Sequence, residues 1–234
     1  MSTQAPTPAP QTRSTKERGL ALLFLSLLFL LVSYPLFEDR KTGAAALDVA
    51  FTVILVSSTY AVSHQRKVLL VALALSIPTF VSWWAVRIFA SPGVDLAGLS
   101  MSVMFFSFVI AVILRSILLR DDVTVDVIFG AMSVYLLLSV VWTFIFAIVE
   151  LLSPGSFNFG TFGPEALGST RHGELRFLSY FSLVTLTTLG YGDITPVAPI
   201  ARSLASLEAV VGQLYIAVLV ARLVGMHTAQ KRGR

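Results

Sequence analysis

Cysteine is absent from the 234 residues, which excludes disulfides and thiolate metal sites and leaves the redox compartment undetermined. Charge is scarce too: Asp, Glu, Lys and Arg make up 13% of the chain, against 56% hydrophobic residues. Soluble domains carry about a quarter charged residues, so the composition excludes an ordinary water-soluble domain and indicates an integral membrane protein. There is no His/Glu metal-binding motif and no nucleophile paired with a base in a plausible setting, which disfavours a membrane hydrolase. The net charge is +4. Its basic residues mostly sit at the ends of apolar segments, so they read as topology signals and not as a nucleic-acid footprint.

Long apolar runs are what the chain has in abundance. After a Pro/Thr/Ser/Gln-rich tail expected to be disordered, apolar segments fall at about 19–37, 44–63, 68–90, 96–119, 123–152 and 199–226. Each reaches the roughly 20 residues that a helix needs to cross a bilayer. The first is too long for the apolar core of a signal peptide and lacks a prompt cleavage site, so it is expected to be retained. Six crossings put Arg13, Lys16, Arg18, Arg66, Lys67, Arg115, Arg120, Arg222, Lys231, Arg232 and Arg234 on one side, which is then cytoplasmic and holds both termini. Arg40, Lys41, Arg171 and Arg176 are the outside minority, where Glu38, Asp39, Asp95, Glu165, Glu174 and Asp193 would also face.

Between the last two long segments the chain reads Thr185, Leu186, Thr187, Thr188, Leu189, Gly190, Tyr191, Gly192, Asp193. Five backbone carbonyls from Thr188 to Gly192 can line a common axis if alternate residues take mirror-image conformations. Gly190 and Gly192 permit this, because glycine adopts positive φ without a steric penalty. Such a row can replace the hydration shell of a dehydrated cation of potassium size. A glycine-rich hairpin between two helices is the bland alternative; the threonine run, Asp193 and the flanking long segments disfavour it.

These nine residues resemble the potassium-channel selectivity-filter signature, with Leu189 where many members carry Val. The resemblance is specific over residues 175–228 and only architectural over 19–152. It implies an all-α membrane protein: six transmembrane helices, a re-entrant pore helix and filter loop, and a homotetrameric pore in the cell membrane. The implied divisions are a disordered cytoplasmic tail (1–18), a sensor-like four-helix bundle (19–122), a pore domain (123–228) and a basic cytoplasmic tail (229–234). K+ would be held at Thr188, Leu189, Gly190 and Tyr191, with Gly192 completing the filter and Asp193, Tyr180 and Thr185 supporting it. No cofactor is implied, K+ is the permeant ion, the partners are the bilayer and three further copies, and no enzymatic step or nucleic acid is involved.

A voltage sensor needs several arginines at every third position of one helix. The fourth segment offers only Arg115 and Arg120, near its inner end, and is uncharged between Leu96 and Leu114, so little gating charge is expected. Asp48 begins the second segment and Arg87 ends the third, where an ion pair and two separately snorkelling side chains are equal alternatives. Trp83 and Trp84 fit an interfacial aromatic belt. In the last segment Gly212 stands where a gating hinge or a close helix contact is expected. Ile216, Val220 and Val224 share a face below it and are expected to line the inner passage. Glu208 is an acid inside a span, which calls for a partner such as Ser182 or Thr185, or for protonation. His172, with Glu165 and Glu174, lies in the loop over about 153–173, where solvation is the default reading. A poorly selective cation channel and a potassium carrier are the competing functions.

Overall fold

The computed structural model describes residues 15–36, 40–63, 66–85, 89, 91–120, 124–160 and 171–232. Seven helices and one short ladder are present among them: α1 (Thr15–Leu36), α2 (Arg40–Ala61), α3 (Arg66–Ala85), α4 (Pro92–Leu118), α5 (Val125–Leu152), β1 (Phe157–Asn158), α6 (Arg171–Leu186), β2 (Thr195–Pro196) and α7 (Pro199–Arg232). Boundaries follow local chemistry. Ser91 is extended and Pro92 opens α4, where a missing amide hydrogen and a fixed φ cost a helix nothing.

Among the described residues, α3, α4, α5 and the Pro199–Arg222 part of α7 are long and apolar enough to cross a membrane, as helices apolar on all faces do. Shorter apolar stretches, Gly19–Leu31 and Asp48–Ala61, lie within α1 and α2. The chain is a multi-pass membrane protein.

α5 is the central post, packing against α1, α4, α6 and α7. Its Phe144 stacks on Phe106 of α4 with ring centroids 6.0 Å apart, and Phe51 of α2 meets both rings edge-on. Two residues later, Phe146 meets Phe157 of β1 and Phe181 of α6 at 5.4 and 5.2 Å. These offset and edge-to-face contacts tie α2, α4 and α6 to the same post.

Three expectations are corrected. Trp83 is not an interfacial belt residue: it is 7% exposed, stacks on Phe51 at 3.9 Å and donates its indole N–H to Asp48 Oδ1 at 2.8 Å. A buried carboxylate needs donors, and the indole supplies one. The all-α expectation also omits the ladder pairing Phe157 with Pro196 and Asn158 with Thr195, since two-residue strands leave no periodicity to read. Helix extends beyond both expected tails, to Thr15 at the front and Arg232 at the back. Arg87, Glu165 and Arg13 lie outside the described residues, so the Asp48–Arg87 pairing does too.

Candidate ion pathway

α6 ends at Leu186, and the next residues turn back on it. The Thr188 amide donates to the Thr185 carbonyl at 2.9 Å; the Leu189 and Gly190 amides converge on the Val184 carbonyl at 2.9 and 3.4 Å. Thr188, Gly190 and Gly192 have φ of +58°, +59° and +80°, while Leu189 and Tyr191 between them stay in the ordinary negative region. The handedness therefore alternates through residues 188–192. A β-branched residue at positive φ is an outlier that costs about 1–3 kcal/mol, and such strain clusters at functional sites. A Cβ added at Gly190 or Gly192 would meet nothing within 4 Å, so glycine serves backbone conformation there, not space.

The segment is anchored at both ends. At its outer end the Tyr180 hydroxyl donates to Asp193 Oδ2 at 2.6 Å, and Asp193 Oδ1 accepts from the Ile194 amide at 3.0 Å. Glu150, at the end of α5, accepts from the Gly155 and Phe157 amides at 2.7 and 3.1 Å. That fixes the strand against which Thr195 and Pro196 pair. At the inner end Gln213 donates to Thr188 Oγ1 at 3.3 Å, and the Tyr135 hydroxyl donates to the Leu186 carbonyl at 3.3 Å. Thr185 contributes its carbonyl to the turn. Among the ionisable groups at the outer end, Glu174 is pushed above the ordinary carboxylate range, first by desolvation and then by the Glu150 and Asp95 charges.

Gly212 is buried in α7 at the point of closest approach to α6: a Cβ there would run into the Leu186 carbonyl oxygen. The helix continues unbroken through it. Four residues earlier, Glu208 is fully buried and its Oε1 lies 2.5 Å from the Ser182 hydroxyl. That hydroxyl is also 2.9 Å from the Ser139 carbonyl and 3.2 Å from Ser139 Oγ, so α5, α6 and α7 meet at one polar node. Below it, Ile216, Val220 and Val224 are exposed on the single chain.

The structure thus gathers Thr188, Leu189, Gly190, Tyr191, Gly192, Asp193, Tyr180, Thr185 and Gly212 around one backbone turn. Asp48 belongs instead to the first bundle. Sequence reasoning gave no role to Gln213, Tyr135 or Glu150, and read Arg222 only as a topology signal. Arg222, on α7, donates through one nitrogen to the carbonyls of Leu118 and Arg120 at 2.5 and 3.0 Å, capping the end of α4. An isolated amide, tyrosine or arginine in an apolar helix was the only available signal.

Known proteins resemble the second half of this chain. A relative from Paramagnetospirillum magnetotacticum, the inward rectifier potassium channel Kirbac3.1, is 32% identical over 69 residues, covering 30% of this chain. The matched stretch spans 23% of the relative's own length. No solved structure matches. The family model described as ion channel matches residues 176–228, a stretch that begins in α6, contains the alternating-φ segment and takes in most of α7. Over that stretch the chain is similar to the family described as ion channel.

Proposed function

We propose that the chain is one subunit of a homotetrameric, potassium-selective channel. It conducts K+ passively across the cell membrane, with both termini cytoplasmic and without strong voltage gating. The observation that carries this reading is the alternating backbone at Thr188, Gly190 and Gly192. With the Leu189 and Gly190 amides turned back to Val184, carbonyls on the opposite edge can face an axis and replace the water around K+.

The remaining geometry supports the same reading. Leu189 and Tyr191 are 55% and 67% exposed, and Leu207, Val210, Leu214 and Val218 of α7 are exposed as well. Three more copies around an axis would cover these surfaces. The 16 residues of α6 reach about 24 Å, short of a bilayer core, as a re-entrant helix requires. α1 and α2, with 22 residues each, are long enough to complete six crossings. The fourth helix holds no ladder of arginines, which supports weak voltage dependence.

Reversal potentials of the purified protein in planar bilayers, with K+ and Na+ in opposing gradients, test this reading. The expected value lies near the K+ equilibrium potential, with a conductance that changes little between voltage steps. Equal passage of Na+ would overturn selectivity. Concentrative uptake into liposomes without an applied gradient would favour a carrier, and a monomer in the bilayer would overturn the whole assignment.

A further inference from the structure

One face of α6, carrying Ser179, Tyr180 and Leu183, lines a cavity of about 170 Å³ whose other walls come from α1 and α5. A second cavity, of about 60 Å³, is lined by the rings of Phe51, Trp83, Phe106 and Phe144. Leu30, Val140 and Ser179 belong to both linings, so the two are lobes that meet at Ser179. Both volumes lie below those of drug-sized sites. The larger is near the roughly 150 Å³ in which an apolar cavity takes up benzene.

The hydroxyl and indole groups on these walls are committed elsewhere, with one exception. Thr143 donates to the Ser139 carbonyl at 2.8 Å, and the Ser139 hydroxyl meets Ser182 at 3.2 Å. Tyr180 holds Asp193, and the Trp83 indole holds Asp48. Ser179 differs. Ser102, Ser133, Ser203 and Ser206 each return their hydroxyl to the carbonyl four residues back, the usual recourse of a helical serine. Among the described residues, the half-buried Ser179 makes no such bond and has no other partner for its hydroxyl.

An uncommitted hydroxyl where two apolar lobes meet suits a guest with an apolar body and one hydrogen-bonding group. A water molecule needs at least about two polar partners, and the junction offers one. We propose that this cavity binds a small uncharged phenol with a short alkyl group beside its hydroxyl. The ring fills the larger lobe, the alkyl group enters the smaller one, and the hydroxyl pairs with Ser179 between them. Arg176 lines the larger lobe, beside the Phe177 ring at 5.5 Å, and repels a cationic guest. No charged side chain lines the smaller lobe among the described residues, so an ion entering it would lose its water without compensation.

The cavity lies behind the candidate filter. Tyr180 on its wall anchors Asp193, and Ser139 on its wall accepts from the hydroxyl that also meets Glu208. A guest that shifts α6 against α5 therefore loads both anchorages. That consequence rests on the channel reading, whereas the binding site does not.

The test uses the full chain in detergent at fixed micelle concentration and needs no conduction. A 2-alkylphenol bearing a diazirine is cross-linked by light, and its attachment is mapped by mass spectrometry. Unlabelled 2-isopropylphenol, 4-isopropylphenol and isopropylbenzene serve as competitors. Saturable labelling of cavity-wall residues on α1, α5 or α6 is expected, displaced by 2-isopropylphenol at concentrations about fivefold below those of the other two. Ser179→Ala, which breaks no hydrogen bond within the protein, is expected to weaken 2-isopropylphenol about fivefold and to leave isopropylbenzene unchanged. Val140→Phe, which narrows both lobes, is expected to abolish wall labelling at an unchanged melting temperature. Where that variant fails to fold, Ser179→Ala decides alone. Labelling that never saturates, that falls outside these walls, or that all three competitors displace equally would overturn the proposal. So would unchanged affinity in Ser179→Ala. Displacement by phosphatidylcholine as readily as by 2-isopropylphenol would overturn it too, since an acyl chain would then be the occupant. In planar bilayers, 2-isopropylphenol is expected to alter the decay of K+ current, at about fivefold higher concentration in Ser179→Ala. Specific labelling of a protein that fails to select K+ would sink the channel reading and leave this site standing.

Discussion

The Ser182 hydroxyl lies between Glu208 Oε1 at 2.5 Å and the Ser139 carbonyl at 2.9 Å. A hydroxyl has one proton to give and cannot serve both oxygens. If it donates to the carbonyl, residue 208 must supply a donor in return, which a carboxylic acid or an amide can do. Glu208→Gln should therefore leave the melting temperature and conductance close to wild type. Glu208→Ala should lose about 2–4 kcal/mol, from a cavity plus the Ser182 hydroxyl left short of a partner. Comparable losses in both variants would mean that the ionised form is the one that matters.

Tyr180→Phe removes the only described side-chain donor to Asp193 other than the main chain. Hydrogen bonds to charged groups contribute about 1.5–3 kcal/mol. The loss should fall on the 188–192 segment and not on the global fold. The K+-dependent part of the thermal stability should shrink, and currents should decay faster under sustained activation. Both readouts unchanged would remove Tyr180 from filter support.

Gly212→Ala separates two roles by sign. If glycine only softens the helix, alanine should stabilise α7 by about 1 kcal/mol. The Leu186 carbonyl, however, stands where the new Cβ would go, and overpacking costs about 1–3 kcal/mol. Net destabilisation is expected, with α6 pushed away from α7. A more stable protein with a lower open probability would restore the hinge.

Arg222→Gln cuts the cap on the α4 carbonyls. A protein that stays folded but whose open probability changes is the expected outcome in single-channel recordings. Arg222→Lys should rescue it in part, because a single nitrogen makes the contacts to the α4 carbonyls and an ammonium carries three donors. Wild-type gating in both variants would uncouple α4 from the pore.

The helices were legible because membrane-length apolar runs report themselves by length alone, and their observed bounds lie within a few residues of those read from residues 44–63 or 123–152. The turn after α6 was legible in part, since Gly190 and Gly192 mark two positions of positive φ, whereas a β-branched side chain gave no sign of Thr188 at +58°. Asp48 was read as a charge at the start of the second segment, and its bond to Trp83 was not foreseen. Trp83 lies 35 residues away, and nothing in a periodic pattern distinguishes an indole at an interface from one turned inward. Arg222 and Ile117 are separated by 105 positions, a tertiary relation with no local trace.

The stretch after α6 resembles a cable fixed at two abutments. The Val184 carbonyl grips it below. The Tyr180–Asp193 bond and the paired strands grip it above. Among the described residues nothing lies within 4 Å of where a Cβ would stand at Gly190 or Gly192, so no side chain packs the middle from that side. When permeant ions are depleted, sagging should therefore stay confined to the centre and reverse on refilling, with both anchorages intact.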